Sequence, residues 1–216
     1  MKLKSLLIKG GLFVVVVATI AASVREVEKH VNATGMSAIV AIGSAATGEK
    51  ITLDSFDVNI FTGSGSITAL SVPNSGIGSS KTSFVVDKAE IKIAPWSLFW
   101  GPLHIKSIEI TNPQVDLETS ATSSNLAIIL LAAGAYVATA DGSSGTDKKL
   151  RVDNLTINGA KLSGKIYPLT TPFSTTMPTI QMKNLGSQGD GMTSADFVQA
   201  VLTEVVNQAT ASAMHP

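Results

Sequence analysis

Hydrophobic positions change their period along this chain. Leu6 to Val24 is a nearly unbroken apolar run whose single charge is Lys9. It is about as long as a membrane span, and Lys9 near its start can reach the head groups along its own aliphatic stem. From Ile51 the spacing falls to two: Ile51 and Leu53, then Phe56, Val58 and Ile60, with a change of phase near Ser55. Such alternation predicts half-buried strands, and the phase change predicts a bulge. Towards the C-terminus Phe197, Val198, Val201, Leu202, Val205, Val206 and Ala209 recur at helical spacing. They predict an amphipathic helix over about 194–211. Thr193 and Asp196 form its capping box, with Asp in place of the usual Glu.

Between these ends the strand pattern is punctuated by turn residues. Gly63-Ser64-Gly65 turns the chain into a strand over 66–72, which Pro73-Asn74-Ser75-Gly76 ends. Residues 83–93 set Ala89, Ile91 and Ile93 against Glu90 and Lys92, and Pro95 stops the strand. Strands over 103–110 and 114–118 are divided by Asn112-Pro113. Segments 150–157 and 160–167 flank Asn158-Gly159, which predicts a hairpin. A last short strand is expected over 179–183. Leu126 to Ala140 carries no charge and is short for a span, so it predicts a buried or membrane-lying helix. The polar, glycine-rich stretch 141–149 follows as a loop.

These elements make a mainly β chain with flanking helices, an α+β class. The expected organisation is an N-terminal transmembrane anchor over 1–31, a β-rich domain over 32–192 with an apolar helix at 126–140, and a C-terminal amphipathic helix and tail over 193–216. Lys2, Lys4 and Lys9 on one side of the apolar run, against Arg25, Glu26, Glu28 and Lys29 on the other, predict a single pass with the N-terminus cytoplasmic and the body exported. A cleaved signal peptide is the alternative, since Ala21 and Ser23 have the spacing of a cleavage site before Val24.

Composition removes several kinds of chemistry. With no cysteine there is no disulfide, thiol nucleophile, cysteine-ligated metal or lipoprotein attachment. Sixteen basic residues balance 16 acidic ones, which gives no electrostatic reason to expect nucleic acid. His30, His104 and His215 share no metal-ligand spacing. Gly63-Ser64-Gly65-Ser66 fits neither a nucleophile elbow nor a dinucleotide fingerprint. The acidic pairs Asp54/Asp57, Asp87/Glu90 and Asp116/Glu118 lie among strand residues, as a solvated sheet face would have them. No catalytic residue, metal or cofactor is expected. Trp96, Leu98, Phe99 and Trp100, between Pro95 and Pro102, stand apart. Such a corner plugs the end of a β-layer, or else Trp96, Phe99 and Trp100 meet a membrane interface or a partner.

The order of these motifs resembles the AsmA-like family of bacterial envelope proteins, relatives of repeating-β-groove lipid-transfer proteins. The resemblance is carried by Ile67-Thr68-Ala69-Leu70-Ser71-Val72-Pro73-Asn74, the strand Phe84 to Ile93, and the corner Trp96-Ser97-Leu98-Phe99. Ile105 to Val115, with its Asn112-Pro113 turn, Ser124-Asn125-Leu126, Lys149 to Val152 and Asn154 to Ile157 continue it. It covers about residues 49–185. Pro73-Asn74 reverses the usual order of that turn, and the family's lipid conduits are several times longer.

The resemblance implies a curved antiparallel sheet whose concave apolar face takes acyl chains, with no catalytic residues, in the periplasm at a bacterial inner membrane. On that basis Ile91, Ile93, Ile105, Ile108 and Ile110 are the candidate lipid-facing residues. Seven or eight strands would make a sheet only about 35 Å long. That is too short to join two membranes, so a homo-oligomer or larger envelope assembly is expected, with Phe197, Val201, Leu202 and Val205 as candidate oligomer contacts. Two functions fit: binding or moving lipids in envelope homeostasis, or non-catalytic scaffolding through sheet edges and helices.

Overall fold

The computed structural model describes residues 26–140, 149–168 and 171–214. The apolar run Leu6–Val24 and most of the glycine-rich loop lie outside them. Among the described residues the fold is mixed α+β: three helices and a curved, open, nine-stranded sheet. Helix α1 covers residues 26–47. Strands β1 (Ser55–Val58), β2 (Ser64–Pro73) and β3 (Thr82–Ile93) follow, then a 3-10 turn at Pro95–Leu98. Next come β4 (Leu103–Thr111), β5 (Gln114–Glu118) and helix α2 (Asn125–Ala140). Strands β6 (Leu150–Asn158), β7 (Lys161–Lys165), β8 (Phe173–Thr176) and β9 (Ile180–Leu185) lead to helix α3 (Ser194–Met214). Among the described residues no helix is long and apolar enough to cross a membrane.

The nine strands behave as six long passes. β4 runs on into β5, β6 into β7 and β8 into β9, and each pair pairs with the passes beside it rather than with itself. Two expectations change here. Asn158-Gly159 is not a hairpin turn: β6 lies parallel to β4, and β7 parallel to β5. The sheet is therefore mixed rather than antiparallel, with α2 as the crossover between the parallel passes. Six passes at about 4.8 Å make a sheet only about 24 Å across.

Five of the six passes carry a break in phase, and neighbouring breaks line up. Inward residues mostly step by two along a strand, but at the bend the step is odd: Leu53 to Phe56, Ile67 to Leu70, Ile110 to Val115, Ile157 to Ala160, Met177 to Ile180. A second set of odd steps, Ile105 to Ile108, Val152 to Leu155 and Met182 to Leu185, lies level with the register shift between Lys92 and Ile93. An odd step would turn the following side chains to solvent unless the backbone kinks, so the apolar face stays continuous only through a bend. In three of the passes positive φ at Ala69 (50°), Asn112 (51°) and Gly159 (63°) supplies it. Neighbouring bends are bonded together: the Asn112 N–H donates to the Asn158 carbonyl (2.8 Å), Lys161 N–H to Pro113 (2.8 Å) and Met177 N–H to Ala160 (2.8 Å). Gly159 fits against Asn112 because a Cβ there would run into the Asn112 amide oxygen.

The helices lie against the apolar face and one edge. On α2, Leu126 and Ile129 are fully buried, and on α3, Ala209. Along α1, Asn32 Oδ1 accepts the Val58 N–H (2.9 Å), Gly35 receives the Phe56 ring, and Ser44 Oγ accepts the Ile51 N–H (3.1 Å). The outer edge of the first pass is thereby covered. At the start of α3 the expected capping box forms: Thr193 Oγ1 accepts the Asp196 N–H (3.0 Å), and Asp196 Oδ2 accepts the Thr193 hydroxyl (2.6 Å). Thr193→Ala should cost about 1 kcal/mol, seen as a lower urea midpoint with an unchanged m-value.

Candidate functional site

The five isoleucines expected on one face do share it, in three aliphatic rows that cross the sheet. Ile93, Ile105, Val152 and Leu185 are cross-strand neighbours, as are Ile91, Ile108, Leu155 and Met182, and Ala89, Ile110, Ile157 and Ile180. The opposite face carries the polar row Ser66, Glu90, Glu109, Thr156 and Gln181. Ile91 and Ile93 are buried, while Ile105, Ile108 and Ile110 remain half-buried. The expected oligomer contacts meet the same face from above. Phe197 and Val201 pack, half-buried, on the core that Ile105, Ile108 and Ile110 also join; Val205 is buried in that core, and Leu202 packs beside Ile129 and Val72. These two sets, read separately from the sequence, border one apolar core, a seam along that face of the sheet.

At one end of the sheet the aromatic corner faces outward. Trp96 is 74% exposed, Trp100 67% and Phe99 49%. Trp100 lies tilted against both neighbours, its ring centroid 5.8 Å from Trp96 and 5.7 Å from Phe99. Ser97 fixes this display: its hydroxyl donates to the Ala94 carbonyl (2.7 Å) and accepts the His104 N–H (2.9 Å), while Leu98 packs on the core. A plug for the sheet end is not what these rings make. The sequence reading missed Phe61, 67% exposed on the adjacent β1–β2 turn, which Gly63 holds against Ile93 and Pro95. An aromatic in a turn that alternation leaves unassigned was its one signal.

At the opposite end a buried carboxylate closes the β2–β3 loop. Glu118, 3% exposed, accepts the backbone N–H groups of Ser79 (3.0 Å) and Ser80 (2.9 Å), and also the Ser79 hydroxyl and the Asn74 amide. Gly78 lies so close that a Cβ would strike the carboxylate. Burial pushes the Glu118 carboxyl up, but these donors outweigh it and hold it below the ordinary range. Burial raises Asp116, which the Ser80 and Ser163 hydroxyls offset only in part. The Ser-Asn-Leu run is structural: Ser124 Oγ caps α2 at the Ala127 N–H (3.1 Å), and fully buried Asn125 bonds Glu118 N–H, the Asp116 carbonyl and Ser83.

Titratable groups gather in two further places. His104 Nε2 lies 2.9 Å from both Asp153 oxygens, tying β4 to β6; His30 is exposed on α1, and His215 falls outside the described residues. An open hollow of about 700 Å³ lies between α1 and the first passes, lined by Glu28, Lys29, Asn32, Asp57, Lys88 and Glu90. Among the described residues no three His, Asp or Glu side chains converge to hold a metal. Compared with known protein families, curated proteins and solved structures, the chain matches none.

Proposed function

We propose that this chain is a membrane-anchored, AsmA-like protein of the bacterial inner membrane, its body periplasmic, that binds or helps move lipid without catalysing a reaction. That apolar seam carries the reading. Ile105, Ile108 and Ile110 remain half-buried at the border of the core on which Phe197 and Val201 also pack, so apolar area remains that an acyl chain can cover. At about 25 cal/mol per Å2 such burial favours a lipid tail without any polar anchor. Scaffolding is the second reading. It is favoured by the part of the same face beyond the bend, where the chain's own Leu126, Ile129 and Ala209 are fully buried.

Native mass spectrometry of the detergent-extracted full-length protein, with lipid extraction of the same sample, separates them. Stoichiometric phospholipid, lost in Ile108→Asp while the far-UV spectrum stays unchanged, is the expected result. Ile108→Ser serves the same purpose should the aspartate not fold. A lipid-free homo-oligomer would hand the function to scaffolding.

A further inference from the structure

We infer that the sheet end carrying Phe61, Trp96, Phe99 and Trp100 is a bilayer-docking surface that seats the body upright on the membrane. The inference rests on the membrane placement proposed above, but not on lipid occupancy of the seam. Two independent features meet at this end. The first is the aromatic cluster: four rings on two separate connections, β1–β2 and β3–β4, all about half exposed or more. Isolated exposed apolar residues need no explanation, but three rings in mutual contact, Trp96, Phe99 and Trp100, with Phe61 exposed on the adjacent turn, mark a contact. Indole rings in particular favour the water–hydrocarbon boundary, where an apolar body and a polar N–H are both satisfied.

The second feature is the course of α1. Asn32 reaches Val58, Gly35 lies on Phe56 and Ser44 reaches Ile51, so α1 runs antiparallel to the first pass. Residue 26 therefore lies about 9 Å beyond Asn32 along the helix, on the side of the Phe61 turn. Twenty-five residues precede it, including the charge-poor run Leu6–Val24 with the length of a span. A chain that leaves the bilayer at Val24 and enters α1 at residue 26 has almost no linker. The end of the sheet beside residue 26 is then held at head-group level, and this is the end the aromatics occupy. A protein partner would have no reason to coincide with the chain's own entry point. The bilayer does.

Both tryptophans of the chain belong to the patch, so tryptophan emission, excited selectively over that of the two tyrosines, reports on it alone. The experiment reconstitutes the full-length protein in phosphatidylcholine vesicles and compares lipids brominated near the glycerol end with lipids brominated near the methyl end. Strong quenching by the former and weaker quenching by the latter is the expected result. Phe61→Ser with Phe99→Ser leaves both reporters in place and should reduce quenching to about half, the far-UV spectrum unchanged. Water-like, unquenched emission from protein that floats with the vesicles would overturn docking while leaving the anchor standing. Blue-shifted but unquenched emission that reverses on dilution would assign the patch to a second copy. Protein that fails to float would remove the anchor and this inference with it.

Discussion

Glu118→Gln is expected to destabilise the protein by about 2–4 kcal/mol at neutral pH, because a charged acceptor of several donors is replaced by an amide. Gln keeps one carbonyl oxygen for Ser79, but its NH2 then faces the Ser80 N–H and the Asn74 amide, and donors cannot bond donors. The pH dependence makes the prediction specific. Glu118 is held below its ordinary 4.5, so its contribution is complete above about pH 4.5 and is lost as pH falls through the folded-state value. Asp116 has the opposite sign. It is raised above 3.8, so the folded state takes up its proton first and acidification relieves that term. Urea unfolding of both proteins between about pH 7 and pH 3 should show the gap closing on the acid side. A deficit that stays constant over this range would mean that the charge on Glu118 contributes nothing and only its shape matters.

The same carboxylate shows what a single sequence makes legible. Strand and helix positions followed directly from alternation and from the stripe on α3, and the capping box at Thr193 and Asp196 formed as read. The bend line was visible only in fragments: a phase change near Ser55, and Asn-Pro and Asn-Gly pairs further on. Each fragment signals positive φ or a break in the ladder. Neither signal says whether the chain reverses or merely turns a corner. That depends on whether the following strand pairs with its predecessor or with a pass brought alongside by α2, a long-range matter that local chemistry does not encode. Strand β8 (Phe173–Thr176) escaped notice for a related reason: its Ser-Thr-Thr run lacks apolar alternation and is held by pairing with β7.

For the candidate surfaces, the resemblance put Ile91, Ile93, Ile105, Ile108 and Ile110 on one face, and helical spacing put Phe197 to Val205 on another. Neither could say that the two sets border one core. Nor could either distinguish Asp116 and Glu118 from solvated strand carboxylates, since the donors of Glu118 come from a loop nearly forty residues earlier. The buried carboxylate and its donors lie at the end away from α1's start, where Tyr167 is also exposed, and the cluster of Trp96, Phe99 and Trp100 lies at the other. The end with Glu118 is closed by the chain itself, and the end with Trp96 is left to something outside it.

Gly63 governs that open end, and Gly63→Ala is expected to cost about 3 kcal/mol, where Gly101→Ala costs about 1. Both glycines have positive φ, 70° and 67°, so both substitutions carry the left-handed penalty of a Cβ. They differ in what that Cβ meets. At Gly101 nothing lies within 4 Å; at Gly63 it would run into the Ile93 carbonyl oxygen, with Pro95 Cδ at 3.2 Å. Nothing there can yield cheaply, because Gly63 is tied to β3 by its own carbonyl, which accepts the Ile93 N–H at 2.7 Å. Relief requires the Asn59–Gly63 turn to lift away, and Phe61 moves with it. Chemical denaturation of the two variants isolates the contact, since the backbone penalty cancels in their difference. Tryptophan emission of vesicle-bound Gly63→Ala then shows whether the lifted turn still lets Trp96 and Trp100 reach the lipid. Equal losses at Gly63 and Gly101 would mean that the turn is not pinned to β3, and the docking end would lose its rigid support.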